Sequence, residues 1–159
     1  ASTVAVLLMK NPTFDPVKDY DHLSQFAVTA NVLVVHPSVA AKSVREFIEL
    51  AKTRGGKLNM ASAGSGSQSH LSGAYFMNVA GMQSVHVPYK GGGPSVAAVM
   101  AGESQWTLTP APAVMTHVNG GKVRALAFTG PVRSKVLPEV ATLDELGLKG
   151  YEVQSWYAL

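Results

Sequence analysis

Apolar and polar residues fall in alternating blocks along this chain. From Phe26 to Val35 the run FAVTANVLVV is rich in β-branched and aromatic residues and stops just before Pro37, which predicts one or two buried strands. Ser43 and Glu46 have the spacing of a capping box. Val44, Phe47, Ile48 and Ala51 then fall at i, i+3, i+4 and i+7, so a helix with one apolar stripe comes next. Arg54-Gly55-Gly56 ends it. The block then repeats. Lys57 to Ser62 reads as a strand leading to a helix that runs to about Ala80. Ser84 to Tyr89 reads as a strand with a helix from Pro94, and Gln105 to Thr109 as a strand with a helix to about Val118. Val123 to Thr129 is the closing strand of the series.

Strands alternating with helices imply parallel strands joined by right-handed crossovers, and therefore an α/β fold with a doubly wound, mainly parallel sheet. In such sheets ligands sit beyond the carboxyl ends of the strands. That rule brings three loops to one rim: Ala63 to Ser67, Lys90 to Pro94, and Pro110 to Pro112. The last stretch, Leu137 to Leu159, carries a short helical piece capped by Thr142 with Glu145, then an aromatic terminal strand suited to a second lobe.

With 159 residues, 47% of them hydrophobic and 14% charged, the chain has enough apolar surface for one ordinary domain, or for one domain and part of another. The net charge of +3 reflects few acids rather than many bases, and no stripe of Lys or Arg suits nucleic acid. Nucleic-acid binding is not expected. With no cysteine, disulfides, thiolate catalysis and Cys-bound metals are excluded. Val4 to Met9 is too short to span a bilayer, so direct membrane insertion is not expected. Both ends read as cut, and any export signal as already removed.

Charge changes the picture in the middle of the chain. From Leu50 to Pro138 the only acid is Glu103, against Lys52, Arg54, Lys57, Lys90, Lys122, Arg124, Arg133 and Lys135. Within that stretch Leu58 to Gly73 (LNMASAGSGSQSHLSG) is a strand that breaks into a Ser/Gly-rich turn and opens a helix. Such a turn offers backbone N–H groups and a helix dipole to a carboxylate or phosphate. A tight turn that merely caps its helix fits the same residues. A second Gly-rich turn, Tyr89-Lys90-Gly91-Gly92-Gly93-Pro94, reinforces the first; Lys90 can bring a charge and Tyr89 an aromatic wall. Ser69 stands where a dinucleotide fingerprint needs its third glycine, no Gly-Lys-Ser/Thr is present for a Walker loop, and no Gly-x-Ser-x-Gly register exists. The histidines at 22, 36, 70, 86 and 117 lack metal-ligand spacing, and for His70 and His86 a ring hydrogen-bonded within the fold is the plainer reading. No cofactor and no metal is called for.

A set of ordered motifs extends over nearly the whole chain: Asp15-Pro16-Val17-Lys18-Asp19-Tyr20, Val32-Leu33-Val34-Val35-His36-Pro37-Ser38, Gly56-Lys57-Leu58-Asn59, Ser62 to Ser67 with His70-Leu71, His86-Val87-Pro88-Tyr89-Lys90-Gly91, Gly121 to Ala127, Leu137 to Thr142, and Gly150-Tyr151-Glu152 with Trp156. In these motifs the chain resembles the periplasmic substrate-binding receptors of tripartite tricarboxylate transporters, the Bug proteins. The resemblance implies a type II periplasmic binding protein fold, a two-lobed Venus flytrap with no catalytic residues. It also implies a periplasmic receptor that holds a small carboxylate and delivers it to membrane transporter subunits. The solute class spans mono- and dicarboxylates, acidic amino acids and aromatic acids.

Residues 1–31 would then be part of a first lobe, 32–127 a second α/β lobe with the anion-binding loops, and 128–159 the return to the first. Carried over residue by residue, the ligand-facing positions are Ser2 and Thr3, then Ser62, Ala63, Gly64, Ser65, Gly66 and Ser67, then Tyr89, Lys90 and Gly91, with Pro110 on the third wall. Two features depart from the family pattern: Gln105 stands where an aspartate is usual, and Thr109-Pro110-Ala111-Pro112 is unusually proline-rich. The family's opening strand with its Pro-Pro-Gly-Gly loop, and its C-terminal helices, do not occur in this sequence. From a different class, an α/β enzyme that binds a phosphorylated or nucleotide ligand at the Ser65/Ser67 loop is the alternative. The scarcity of acids and bases near the loops weighs against it.

Overall fold

Val32, Leu33, Val34 and Val35 are all fully buried, and they end an eleven-residue strand, β1 (Gln25–Val35), on which the rest of the molecule is assembled. The computed structural model describes residues 6, 10–21 and 23–158. Its elements after β1 are α1 (Val44–Thr53), β2 (Asn59–Ser62), α2 (Gln68–Ala80), β3 (Val85–Pro88), α3 (Gly92–Met100) and β4 (Trp106–Pro110). A 3₁₀ turn (Ala111–Ala113), α4 (Met115–Asn119), β5 (Arg124–Phe128) and β6 (Gln154–Ala158) complete the series.

The strands form one sheet in the order β3-β2-β4-β1-β5, with β6 pairing β1 off this path. β2 is parallel to β3 and to β4, whereas β1 is antiparallel to β4 and to β5. The α/β sheet is therefore mixed rather than mainly parallel in its pairing: β1 runs against the other strands, and its pairs with β4, β5 and β6 are all antiparallel. A strand buried on both faces reads as a continuous apolar run whichever way it points. The run at 32–35 carries no mark of direction for that reason.

Alternation along β1 divides the core. Leu33 and Val35 face α1 and α2 in a cluster with Phe47, Met60, Phe76, Trp106 and Leu108. Val32 and Val34 face α3 and α4 with Ala61, Val96, Val99, Val114 and Phe128. Helices thus cover both faces, as in a doubly wound sheet. The stripe read from sequence is the buried face of α1, namely Val44, Phe47, Ile48 and Ala51. At its N-terminus Ser43 Oγ accepts from the Glu46 N–H, while the Glu46 carboxylate accepts from Lys42 N–H, one residue before the cap.

Two predicted helices are shorter than the pattern suggests. The segment after β4 is a 3₁₀ turn and then one turn of α4, because Pro110 and Pro112 bring no N–H and fix φ. At 142–147 the capping box forms fully, with Thr142 N–H to Glu145 Oε2 at 2.8 Å and Glu145 N–H to Thr142 Oγ1 at 3.2 Å. Yet the turn ends at once on Gly147, whose φ is +103°. Glu145 also accepts from Arg133 Nε at 2.9 Å, so this single turn ties the return segment together. Thr142→Ala is expected to lower stability by about 1 kcal/mol in urea unfolding, the usual worth of such a cap.

Candidate functional site

The parallel strands β2, β3 and β4 end on one rim, and each hands its chain to a loop that faces the same cleft. Ala63 comes directly after β2, Gly92 opens the helix after β3, and Pro110 closes β4; all three line a cleft of about 320 Å³. Gln68 and Ser69 from the first turn of α2, Thr109, Ala113, and the whole of Gln154 to Tyr157 on β6 complete the lining. No charged side chain is among these residues. The lining combines apolar residues (Ala63, Pro110, Ala113, Trp156, Tyr157) with neutral amides and hydroxyls.

The loop after β2 is held by its own side chains. Ala63 N–H donates to Ser69 Oγ at 2.9 Å, Gly64 N–H to Ser62 Oγ at 3.2 Å, Gly66 N–H to His70 Nδ1 at 3.1 Å and Ser67 N–H to Gly64 O at 3.1 Å. Four loop amides therefore have partners inside the loop. Gly64 has φ +124°, a conformation that favours glycine, and it lies beside the Tyr89 carbonyl, 3.4 Å from where a Cβ would stand. Ser62 is buried and Ser65 exposed, while Ser67 caps α2 by accepting from His70 N–H.

Beneath this loop the His70 and His86 rings stack, with centroids 3.9 Å apart and planes 12° from parallel. His86 Nε2 lies 2.6 Å from Ser62 Oγ, so both rings are hydrogen-bonded within the fold, as the plainer reading expects. Burial first, and the neighbouring His70 second, hold the His86 pKa below its ordinary value. In the unfolded chain His86 takes up its proton at the ordinary value, so acid protonates the unfolded state first. The contribution to stability is complete above the ordinary histidine range and is lost as pH falls through it. Melting temperature is expected to fall between about pH 7.5 and about pH 5.5, and His86→Asn to flatten that slope even as it lowers stability throughout.

The second loop behaves differently. Gly91 is the N-cap of α3 with φ +111°, and no side chain caps this terminus, whose first turn carries no acid. Gly92, the first residue of this helix, lines the cleft. Tyr89 turns inward, with its hydroxyl 3.3 Å from Ser104 Oγ, and Lys90 is exposed and outside the cleft lining. Two other cations of the basic middle stretch are structural. Arg124 Nη1 donates to the Ala41 carbonyl at 2.9 Å, and Arg133 pairs with Glu145.

Of the positions carried over from the resemblance, Ala63 and Pro110 line the cleft, and the others of 62–67 and 89–91 form the loops behind it. Ser2 and Thr3 lie outside the described residues. Gln68, Ser69, Thr109 and the β6 residues were not singled out from sequence as ligand-facing. The one signal for β6 was its aromatic pair: Trp156 and Tyr157 are 51% and 45% exposed on a paired strand. Among the described residues no helix is long and apolar enough to cross a membrane.

Solved proteins share this shape. The chain superposes on the R. palustris protein Rpa4515 with adipate (TM-score 0.90, 31% identity, 94% of this chain and 50% of that one). It also superposes on MatC from Rhodopseudomonas palustris with bound malate (TM-score 0.91, 26% identity, 98% and 53%). In sequence it is 31% identical over 156 residues to BugT of Bordetella pertussis, covering 98% of this chain and 48% of BugT. The chain spans about half the length of the curated relatives it matches. The family model described as tripartite tricarboxylate transporter family receptor, TctC, matches residues 1–159, and the chain belongs to that family.

Proposed function

We propose that the protein is a periplasmic receptor that binds a small carboxylate at this cleft and delivers it to a transporter of the tripartite tricarboxylate type. The observation that carries the reading is the lining itself: neutral donors, the first residue of a helix without a side-chain cap, and apolar residues, with no charged side chain among them. Such a surface binds an anion with a carbon body through hydrogen bonds and dipoles, without a fixed countercharge. Bound malate in MatC and adipate in Rpa4515 support the same class of ligand here.

In this reading residues 32–127 form one lobe and the segments 1–31 and 128–159 belong to the other. Closure then bends the chain where β1 and β6 pair outside the main sheet. The family is one of receptors rather than enzymes, which removes the enzyme alternative for the Ser65/Ser67 loop. A thermal-shift titration with malate, adipate, glutamate and benzoate beside inorganic phosphate and ATP tests the proposal. A ligand at a hundred times its Kd adds about 2.7 kcal/mol of stability, which a melting curve resolves readily. A rise with a carboxylate is the expected result. A rise with phosphate or ATP alone, or with none of the six, overturns it.

A further inference from the structure

At residues 30–32 β1 changes partners. Val32 pairs with Thr109 of β4 and Phe128 of β5, while Ala30 pairs with Gln154 of β6. At the change stands Asn31, a fully buried polar side chain in an otherwise apolar strand end. Its Nδ2 donates to Ser72 Oγ of α2 at 3.0 Å, and its Oδ1 accepts from Ser155 Oγ of β6 at 3.3 Å. Ser155 Oγ also donates to Gln68 Oε1, so its one hydroxyl proton is shared between two amide oxygens, and Ser155 and Gln68 both line the cleft. The Asn31 backbone is pinned as well: its N–H donates to Thr129 Oγ1 at 2.9 Å and its carbonyl accepts from Thr129 N–H at 3.0 Å.

We propose that Asn31 is a positioning residue that ties the ligand-facing groups Gln68 and Ser155 to the point where the chain leaves the main sheet. The proposal rests on the cleft being the carboxylate site. One amide, with its donor on one neighbour and its acceptor on the other, sets the distance between α2 and β6. Any movement of β6 against the sheet reaches Gln68 through this link, which couples ligand contact to the bending of β1.

Asn31→Asp keeps the shape and the acceptor for Ser155 but removes the donor to Ser72. Calorimetry with malate and adipate as probes is expected to show roughly tenfold weaker binding at neutral pH, the effect of a buried carboxylate in place of a neutral amide. On acidification the variant should recover toward the native protein measured at the same pH, because a buried carboxyl titrates above the usual range and, once protonated, donates again. Amide exchange without ligand should quicken at 68–72 and 154–156. Ser43→Ala, which removes the cap of α1 and lies outside the cleft lining, should change neither. If Asn31→Asp does not fold, Ser72→Ala removes the same bond from a residue outside the lining. Affinity and exchange that merely track Ser43→Ala overturn the proposal. A native protein that binds neither probe counts against the receptor reading, and the exchange pattern alone then decides Asn31.

Discussion

Trp106→Ala is expected to remove about 3–5 kcal/mol of stability, the largest effect of any single truncation in this chain. Trp106 is the largest side chain with no exposure, and it sits on β4 against both Phe47 of α1 and Phe76 of α2. The ring centroids are 5.5 Å and 5.7 Å away, in edge-to-face arrangements that are worth more than area burial alone. Two helices thus share one anchor on the sheet. The indole N–H also donates to Ser84 Oγ at 2.9 Å, in the turn before β3. A domain holds only about 5–15 kcal/mol in all, so the variant should be close to unfolded at moderate temperature if the native value lies low in that range. Trp106→Phe separates the parts: it keeps an aromatic ring among the others and loses the bond to Ser84, for about 1 kcal/mol plus the cost of a smaller ring. Urea unfolding followed by far-UV circular dichroism reads both. A loss below about 1.5 kcal/mol for Trp106→Ala would mean that α1 and α2 dock independently of this residue.

How much the sequence discloses depends on the range of the interactions involved. Ser43, Glu46 and the stripe from Val44 to Ala51 act within two helical turns, and the helix they specify is present with that face buried. Thr142 and Glu145 are equally local, and their reciprocal bonds form, but the length of the helix beyond the cap is decided by Gly147 and the contacts of Leu143 with the sheet. The direction of β1 is a property of its neighbours, β4 and β5, and no residue within 32–35 encodes it. The cleft is divided in the same way. Its three loops are predictable from the strand-end rule, since each is adjacent in sequence to the strand that places it. The donors of β6 come from the far end of the chain and reach Gln68 only because β6 pairs β1, a contact that no local pattern announces. Lys90, whose place in a Gly-rich loop suggested a charge for the ligand, is exposed and stands outside the cleft lining.

Gly92→Leu is expected to abolish carboxylate binding, by more than about a hundredfold or about 2.7 kcal/mol, while leaving the fold intact. Gly92 is the first residue of α3 and lines the cleft between Ala63 and Pro110. A Cβ there meets nothing within 4 Å, and the backbone is not in the left-handed region, so a side chain enters without strain. Leucine is a far better helix former than glycine, which adds up to about 0.8 kcal/mol in favour of the helix. Because Gly92 itself lines the cleft of about 320 Å³, the added side chain is expected to take up ligand space there. Gly93→Leu is the matched control: the next residue of the same helix turn, exposed, free of neighbours within 4 Å of its Cβ, and outside the lining. Calorimetry with the carboxylate that binds the native protein should therefore show loss in one variant and retention in the other. Retention in both would move the site away from this cleft. Loss in both would mean that binding depends on the backbone freedom of the glycine loop rather than on the space beside Gly92.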